Sequence, residues 1–323
     1  MINTWPKDKH IEKVLQKTLK ETNLNLKEIN NDLLRTILDS SYSPVFTGTL
    51  WKLYKYLDEH VKYADNLIWI PSGNTIGYLK YNGHIPWDDD IDIGFKVTNN
   101  YDVYISFLLE CIKKGLIVNL HITKVDNDDL NWYENDIVVN LIPDNVANPS
   151  WSFMKEADFR NILKNNPSKF HFASVTINEY KWKKICTRLD FTDTYMWNSK
   201  SVVTPWIDVI PFIKKDNKYV PQLSDKKNPT PDLVGEVEHH RYLTVPGRFP
   251  INLLPSILSQ YNSNRTFINF MHWDTIYSHI KSNKVVIDYN KEPELHKFVR
   301  AFITRYNEAL IYFMNQVHYS DFV

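Results

Sequence analysis

Residues 83–95, GHIPWDDDIDIGF, place four aspartates within five positions and then alternate strictly. Side chains on a strand repeat every two residues. From residue 88 onward the even positions carry Asp88, Asp90, Asp92 and Gly94, and the odd positions Ile91, Ile93, Phe95 and Val97. Such a strand has one face fit for a core and another that presents a ladder of carboxylates. Crowded like charges raise one another's pKa and disfavour ionisation. Any fold for this chain must bury the apolar side and leave the acidic side open to a counter-charge. Asp89 breaks the alternation and is expected to face outward or to bond the preceding loop.

A divalent cation answers the repulsion. Ladder neighbours lie ~7 Å apart along the backbone. Their side chains can converge on one ion with bonds of ~2.1 Å, or on two ions ~4 Å apart. Oxygen-only ligands suit Mg2+ or Mn2+ rather than Zn2+. An EF-hand loop wants Gly at its sixth position and Glu at its twelfth; counted from Asp88 these are Ile93 and Asn99, so that reading fails. A solvated acidic turn is the plainer alternative. The apolar alternation after the cluster and the glycine-bearing, aromatic stretch before it favour a metal site, with Asp90 and Asp92 as main ligands and Asp88 in support. Paired carboxylates downstream of a small-residue turn suit phosphoryl or nucleotidyl transfer, where metal ions neutralise phosphate oxygens. The turn IPSGNTIG offers Ser72, Gly73 and Asn74 as a phosphate cradle; an ordinary strand-to-helix turn is an equal reading.

Apolar residues make up 43% of the 323 and aromatics 14%, enough for a sizeable core, and the pattern reads as α+β. Lys+Arg and Asp+Glu balance at 38 each, which gives no electrostatic reason to expect nucleic acid. With Cys111 and Cys186 the only cysteines, no apolar leader and no run of ~20 apolar residues, a cytoplasmic chain without a transmembrane segment is expected. Helical spacing marks 8–21, 49–66, 101–115 and a long terminal helix whose Leu295, Phe298, Phe302, Tyr306 and Leu310 face reads as core alone. Strands are expected at NLIWI, LIVNLHIT, DIVVNLI, KFHFASVTI and TPWIDVIPFI, the last bounded by Pro205 and Pro211. Residues 143–166 read as loop-rich, with Trp151 and Phe153 as stacking or packing anchors, 126–136 as a solvated acidic hairpin loop, and 214–232 as a surface excursion or lid. Asp208 stands among Ile207, Val209 and Ile210, where a lone carboxylate is costly unless paired or metal-bound. His239-His240-Arg241 reads as a surface helix end, with Arg241 a lesser phosphate candidate, and His84 as a structural or rim residue that could also serve in proton transfer. Lys80, Lys214 and Lys215 neighbour the acidic segments and are candidate phosphate contacts.

Residues 72–95, SGNTIGYLKYNGHIPWDDDIDIGF, resemble the LicD family, to which fukutin-related protein belongs. Gly73, Gly77, Gly83, Ile85, Pro86, Trp87, Asp88, Asp89, Asp90, Ile91 and Asp92 fit the family pattern in register. WIDVIPF is similar to a later family strand, which would make Asp208 the third carboxylate, and RFPINLLPSILSQYNSN matches the family's end segment more weakly. Asn74 stands in place of the family's Thr, Lys80 in place of Arg, and Asn262 in place of Gly, departures that bear on donor choice. The resemblance implies a nucleotidyltransferase-like mixed sheet flanked by helices over 45–265, with helical segments at 1–44 and 266–323 packed as one unit. It also implies an Mg2+- or Mn2+-dependent transferase. Such an enzyme moves a phospho-alcohol group, such as phosphocholine or ribitol phosphate, from a CDP-linked donor to a glycan hydroxyl. Asp88, Asp90, Asp92 and Asp208 would hold the metal, with Asp90, Asp92 and Asp208 catalytic, Ser72, Gly73, Asn74 and Lys80 on the donor, and His84, Trp87 and Arg241 in lesser roles. Transfer of the nucleotide itself, or a non-catalytic metal-stabilised binding protein, are the alternatives.

Overall fold

Two amphipathic helices, α1 (Lys9–Thr22) and α2 (Asn31–Ser40), precede the long helix α3 (Pro44–His60). Helix α3 starts earlier than its apolar spacing suggests. Ser43 accepts a hydrogen bond from the Val45 N–H, and Pro44 occupies the first turn, where its missing N–H is not needed. In this computed structural model the described residues are 8–22, 31–123, 136–147, 152–191, 203–222, 232–261, 273–278, 283–288 and 291–323. The acidic run at 126–135, Trp151, the Pro-rich stretch 223–231 and Asn262 lie outside them.

A mixed sheet follows. Its strands are β1 (Leu67–Trp69), β2 (Ile91–Val97), β3 (Ile117–Thr123), β4 (Asp136–Ile142), β5 (Phe153–Lys155), β6 (Phe170–Thr176), β7 (Trp206–Lys215), β8 (Lys218–Pro221) and β9 (Leu233–Val234). Between them lie α4 (Gly73–Tyr81), α5 (Asp102–Lys113), α6 (Glu156–Asn165) and α7 (Glu179–Arg188). The spatial order is β1-β2-β7-β6-β3-β4-β5, with β8 and β9 extending from β7. β2 runs parallel to β7, and β4 to β5; the remaining pairs are antiparallel. The expected α+β class with a helix-flanked mixed sheet is present. Helices α5 and α6 cover the apolar face, where Phe95 meets Tyr104 and Phe107, and Phe170 meets Phe159. A hairpin, β10 (Val237–Tyr242) and β11 (Val245–Pro250), packs on α3 and β1 through Trp51, Trp69, Tyr78, Tyr242 and Phe249. Helix α8 (Leu253–Tyr261), the hairpin β12 (Trp273–Ser278) and β13 (Asn283–Asp288), and helix α9 (Pro293–Gln316) complete the chain.

Several expectations need correction. Strand β2 begins at Ile91, so Asp88 to Asp90 lie in the connection before it and Asp92 alone of the ladder is on a strand. Residues 143–166 contain β5 and α6. Pro211 lies inside β7, where that edge passes from pairing with β6 to pairing with β8, a break where a missing N–H costs least. Residues 214–222 form the β7–β8 turn and strand rather than an excursion. His239 to Arg241 sit on a strand, not a helix end. The segment expected to be helical after 266 carries a β-hairpin ahead of α9.

Helix α9 does more than fill the core. Asn307 on its buried face accepts from the His84 N–H at 2.7 Å and donates to the His84 and Ile303 carbonyls at 3.0 and 2.8 Å. Gly83 leaves the space in which the Asn307 amide sits, for a Cβ there would overlap it. The terminal helix thereby fixes the backbone just ahead of the aspartates. Asn307→Ala strands the two His84 backbone groups and should cost about 2 kcal/mol, read as a lower denaturant midpoint with an unchanged slope.

Candidate metal centre

Parallel pairing of β2 with β7 sets Asp92 directly beside Asp208, although more than a hundred residues separate them in sequence. Asp90, from the connection before β2, completes a group whose carboxylate oxygens lie within 4.8 Å of one another. Asp88, Asp89 and Asp90 form a second such group, sharing Asp90 with the first. Asp89 is buried and accepts a hydrogen bond from the Tyr42 hydroxyl at 3.2 Å, so it does not face outward. Tyr42 is itself tied to the motif by its N–H to the Pro86 carbonyl at 2.7 Å.

The electrostatics match a site built for a cation. Burial first, then the charge of Asp92, holds the carboxyls of Asp88, Asp90 and Asp208 well above the usual range. Asp92 is pushed up to about 6, by burial and then by Asp89. No Lys or Arg among the described residues figures in these causes. The opposing influence on Asp208 is a hydrogen bond from Ser174, whose Oγ donates to Oδ1 at 2.5 Å. Ser174 lies beside Asp208 across β6 and β7, and His121 Nε2 reaches the Ser174 Oγ at 2.9 Å. Asp88 Oδ2 is buried without a hydrogen-bond partner. An orphaned carboxylate oxygen, an all-oxygen donor set and carboxyls that raise one another's pKa together fit a hard divalent cation such as Mg2+ or Mn2+.

The proposed phosphate cradle is arranged differently from its simplest reading. Ser72 precedes α4, but its hydroxyl donates to the Ile70 carbonyl and the Asn74 Oδ1 and leaves the helix uncapped. The Asp88 carboxylate packs against Gly73, where a Cβ would overlap it, so the start of α4 already faces an anion. Asn74 keeps a buried Nδ2 with no partner. Lys80 is buried near the other end of α4, with its ammonium 5.3 Å from the Tyr81 ring centre. Lys214 and Lys215 are exposed at the far end of β7, about 20 Å of strand beyond Asp208. Arg241 is exposed, and alternation on β10 turns it away from the Tyr242 side, which faces the aromatic cluster.

Of the structural and rim readings of His84 the structural one fits, for it lies inside. It is fully buried, which pulls its pKa down to about 4. Its Nε2 lies 3.1 Å from the Asp88 carbonyl, which only accepts, so the neutral ring carries its proton there and leaves Nδ1 as a bare acceptor. Trp87 is buried and Trp51 meets His84 edge-on at 6.0 Å. Ser174, His121, Tyr42 and Asn307 were not singled out from the sequence. For His121 a signal was present, since Asn119 and His121 alternate with Val118, Leu120 and Ile122 as Asp92 does with its apolar neighbours.

No family model, curated protein or solved structure matches this chain.

A carboxyl whose folded pKa is raised holds a proton that the unfolded chain would release, so stability falls as pH rises through that window. With Asp92 moving from 3.8 to about 6, and its partners raised as well, the metal-free protein should melt at higher temperature at pH 5 than at pH 7.5. Mn2+ should reverse the order by raising the melting point mainly at pH 7.5. Thermal melts with EDTA and with Mn2+ at both values measure this.

Proposed function

We propose that this chain is a metal-dependent phosphotransferase of the LicD type with a nucleotidyltransferase-like core. In this reading it moves a phospho-alcohol group from a CDP-linked donor to a hydroxyl of a glycan. The observation that carries the reading is the juxtaposition of Asp92 and Asp208 on adjoining parallel strands with Asp90 from the connection before β2, their carboxylate oxygens within 4.8 Å of one another. The motif residues that resemble the family are the ones gathered around it. Asp90, Asp92 and Asp208 would hold the metal, with Asp88 in support.

When bound, the cation would neutralise the non-bridging oxygens of the donor's pyrophosphate. The chain's residues position the rest. Asn74 Nδ2 is an unpartnered donor in the first turn of α4, next to Asp88. The acceptor oxygen forms a bond to the phosphorus remote from the nucleotide, the bond from that phosphorus to the bridging oxygen breaks, and CMP leaves. The proton of the attacking hydroxyl passes to Asp208, which Ser174 holds in place. Asp208 is buried while Asp88, Asp90 and Asp92 remain partly exposed and open to a donor, and alignment supplies much of the rate.

The same carboxylates would serve nucleotidyl transfer, and product analysis separates the two: a phospho-alcohol on the acceptor supports the proposal, a nucleotide on the acceptor the alternative. The experiment is a thermal-shift screen of CDP-choline, CDP-ribitol, CDP-glycerol and other nucleotides, with and without Mg2+, followed by turnover of the stabilising donor. One CDP-linked compound should stabilise the chain only when Mg2+ is present. Asp90→Asn with Asp92→Asn should leave the fold intact and lower turnover by at least about a thousandfold. Full activity in that double variant, or metal-independent activity in the native chain, would falsify the phosphotransferase reading.

A further inference from the structure

The carboxylate pair belongs to a longer row. Strand registers set Asp92 beside Asp208, Asp208 beside Ser174, Ser174 beside Asn119, and Asn119 beside Asn140. Directly opposed residues share a face, so β2, β7, β6, β3 and β4 present five polar side chains in line on the side of the sheet away from α5 and α6. The intervening residues Ile93, Val209, Ala173, Leu120 and Val139 are buried on the helix-covered side. Two positions along, His121 stacks on Phe172 with ring centres 4.1 Å apart and planes 19° from parallel, and Val138 stands beside His121.

This part of the face is accessible. Val138 is 50% exposed, and Asn119, His121, Asn140 and Phe172 are partly exposed. On the other side of the carboxylates a small second core of Ile68, Ile70, Phe212, Tyr219 and Leu233 covers β1, β2 and β7, with Ile210 at its margin. The aspartates therefore lie between two unlike regions. Toward β1 stands the start of α4 with the unpartnered Asn74 amide. Toward β4 lies a shelf of amides, an imidazole, a phenyl ring and a valine, none of which carries a fixed charge.

Displacement at phosphorus places the attacking oxygen and the leaving group on opposite sides. The charged donor belongs on the β1 side, beside Asp88 and the unpartnered Asn74 N–H. The uncharged partner belongs on the shelf. Amides that both donate and accept match hydroxyl groups, while a phenyl ring and a valine match the C–H face of a sugar. The shelf is also wired to the reacting centre, because His121 contacts Ser174 and Ser174 donates to Asp208.

We propose that Asn119, His121, Val138, Asn140 and Phe172 form the acceptor subsite, holding a neutral sugar or polyol unit with its reactive hydroxyl directed at Asp208. The inference rests on the phosphotransferase reading and names the acceptor side of that site. A nucleobase is the competing occupant of an amide-and-aromatic shelf, and the test separates it.

The test uses the full chain with Mn2+ on an immobilised glycan panel, with CDP affinity and Mn2+ affinity measured by calorimetry on the same samples. Asn140→Ala and Phe172→Ala are the variants, since neither side chain is among the proposed metal ligands. Melting points confirm folding. The native chain should retain one class of neutral glycan, and each variant should weaken that retention about tenfold or more, with Mn2+ and CDP affinity unchanged. No glycan retained by the native chain, or equal retention by both variants, overturns the shelf. A fall in CDP affinity with glycan retention intact assigns the shelf to the base and equally overturns it. Absence of Mn2+-dependent CDP binding in the native chain sinks the phosphotransferase reading instead, and is read independently of the glycan panel.

Discussion

Two carboxylates forced side by side, Asp92 and Asp208, set the terms for the rest of the molecule. Their strands are parallel neighbours, so the chain must leave β2, travel through α5, β3, β4, β5, α6, β6 and α7, and return beside its starting point in β7. Such a crossover is needed because parallel strands cannot be joined by a tight turn. Among the described residues most of that excursion serves the same sheet: β6, β3, β4 and β5 extend it, and α5 and α6 cover its apolar face. The repulsion between the aspartates is therefore opposed by burial of Ile93, Phe95, Val209 and their neighbours on the reverse side of the same strands. A strand that did not bury those residues would have no means of holding the charges together.

The backbone ahead of β2 is fixed by polar contacts rather than by regular structure. Asp88 to Asp90 lie outside the strand, and loops at this position would ordinarily be free to move the charges apart. Two distant elements and one local contact prevent it. Asn307 from α9 grips the His84 backbone, Tyr42 ahead of α3 bonds both Pro86 and Asp89, and the neutral ring of His84 bonds the Asp88 carbonyl. Tyr306, one residue before Asn307, donates to the Tyr42 carbonyl at 3.0 Å and so links two of these supports. Placing the ligands within reach of one ion therefore depends on the chain's terminal helix as much as on the motif.

What the sequence discloses and what it hides divide along physical lines. The β2 pattern was legible because alternation is local, and Asp208 because a lone acid among Ile207, Val209 and Ile210 is anomalous in any strand. The start of the strand was misjudged because Asp88 and Asp90 keep the even spacing while lying in irregular backbone. Asp89, expected to face outward or to bond the preceding loop, is held inside by Tyr42, nearly fifty residues earlier. His239 to Arg241 gave no periodic signal for a strand. Their hairpin is set by tertiary packing of Tyr242 and Phe249 onto Trp51 and Trp69, which overrides local preference. Asn307 sits at helical spacing among apolar residues, and nothing local distinguishes a clamp from a tolerated polar residue.

The site's charge is the least local of its properties. Burial raises the carboxyls of Asp88, Asp90, Asp92 and Asp208 and their charged neighbours raise them further, so the protonation of the cluster belongs to the group and not to a residue. A cation entering such a group gains its direct attraction and also the repulsion it relieves, so affinity grows with the rigidity that holds the ligands together. Loosening the scaffold would let the aspartates relax apart and would weaken the cation's hold with no ligand altered. Asn307, Tyr42 and His84 touch no metal in this account, yet they determine how much of the repulsion survives to be relieved. Ser174 acts in the other direction: by donating to Asp208 it stabilises the ionised form before any cation arrives. The cluster is thus poised by opposing influences, and its Ser174 contact is the one that also leads outward to His121 and the open side of the sheet.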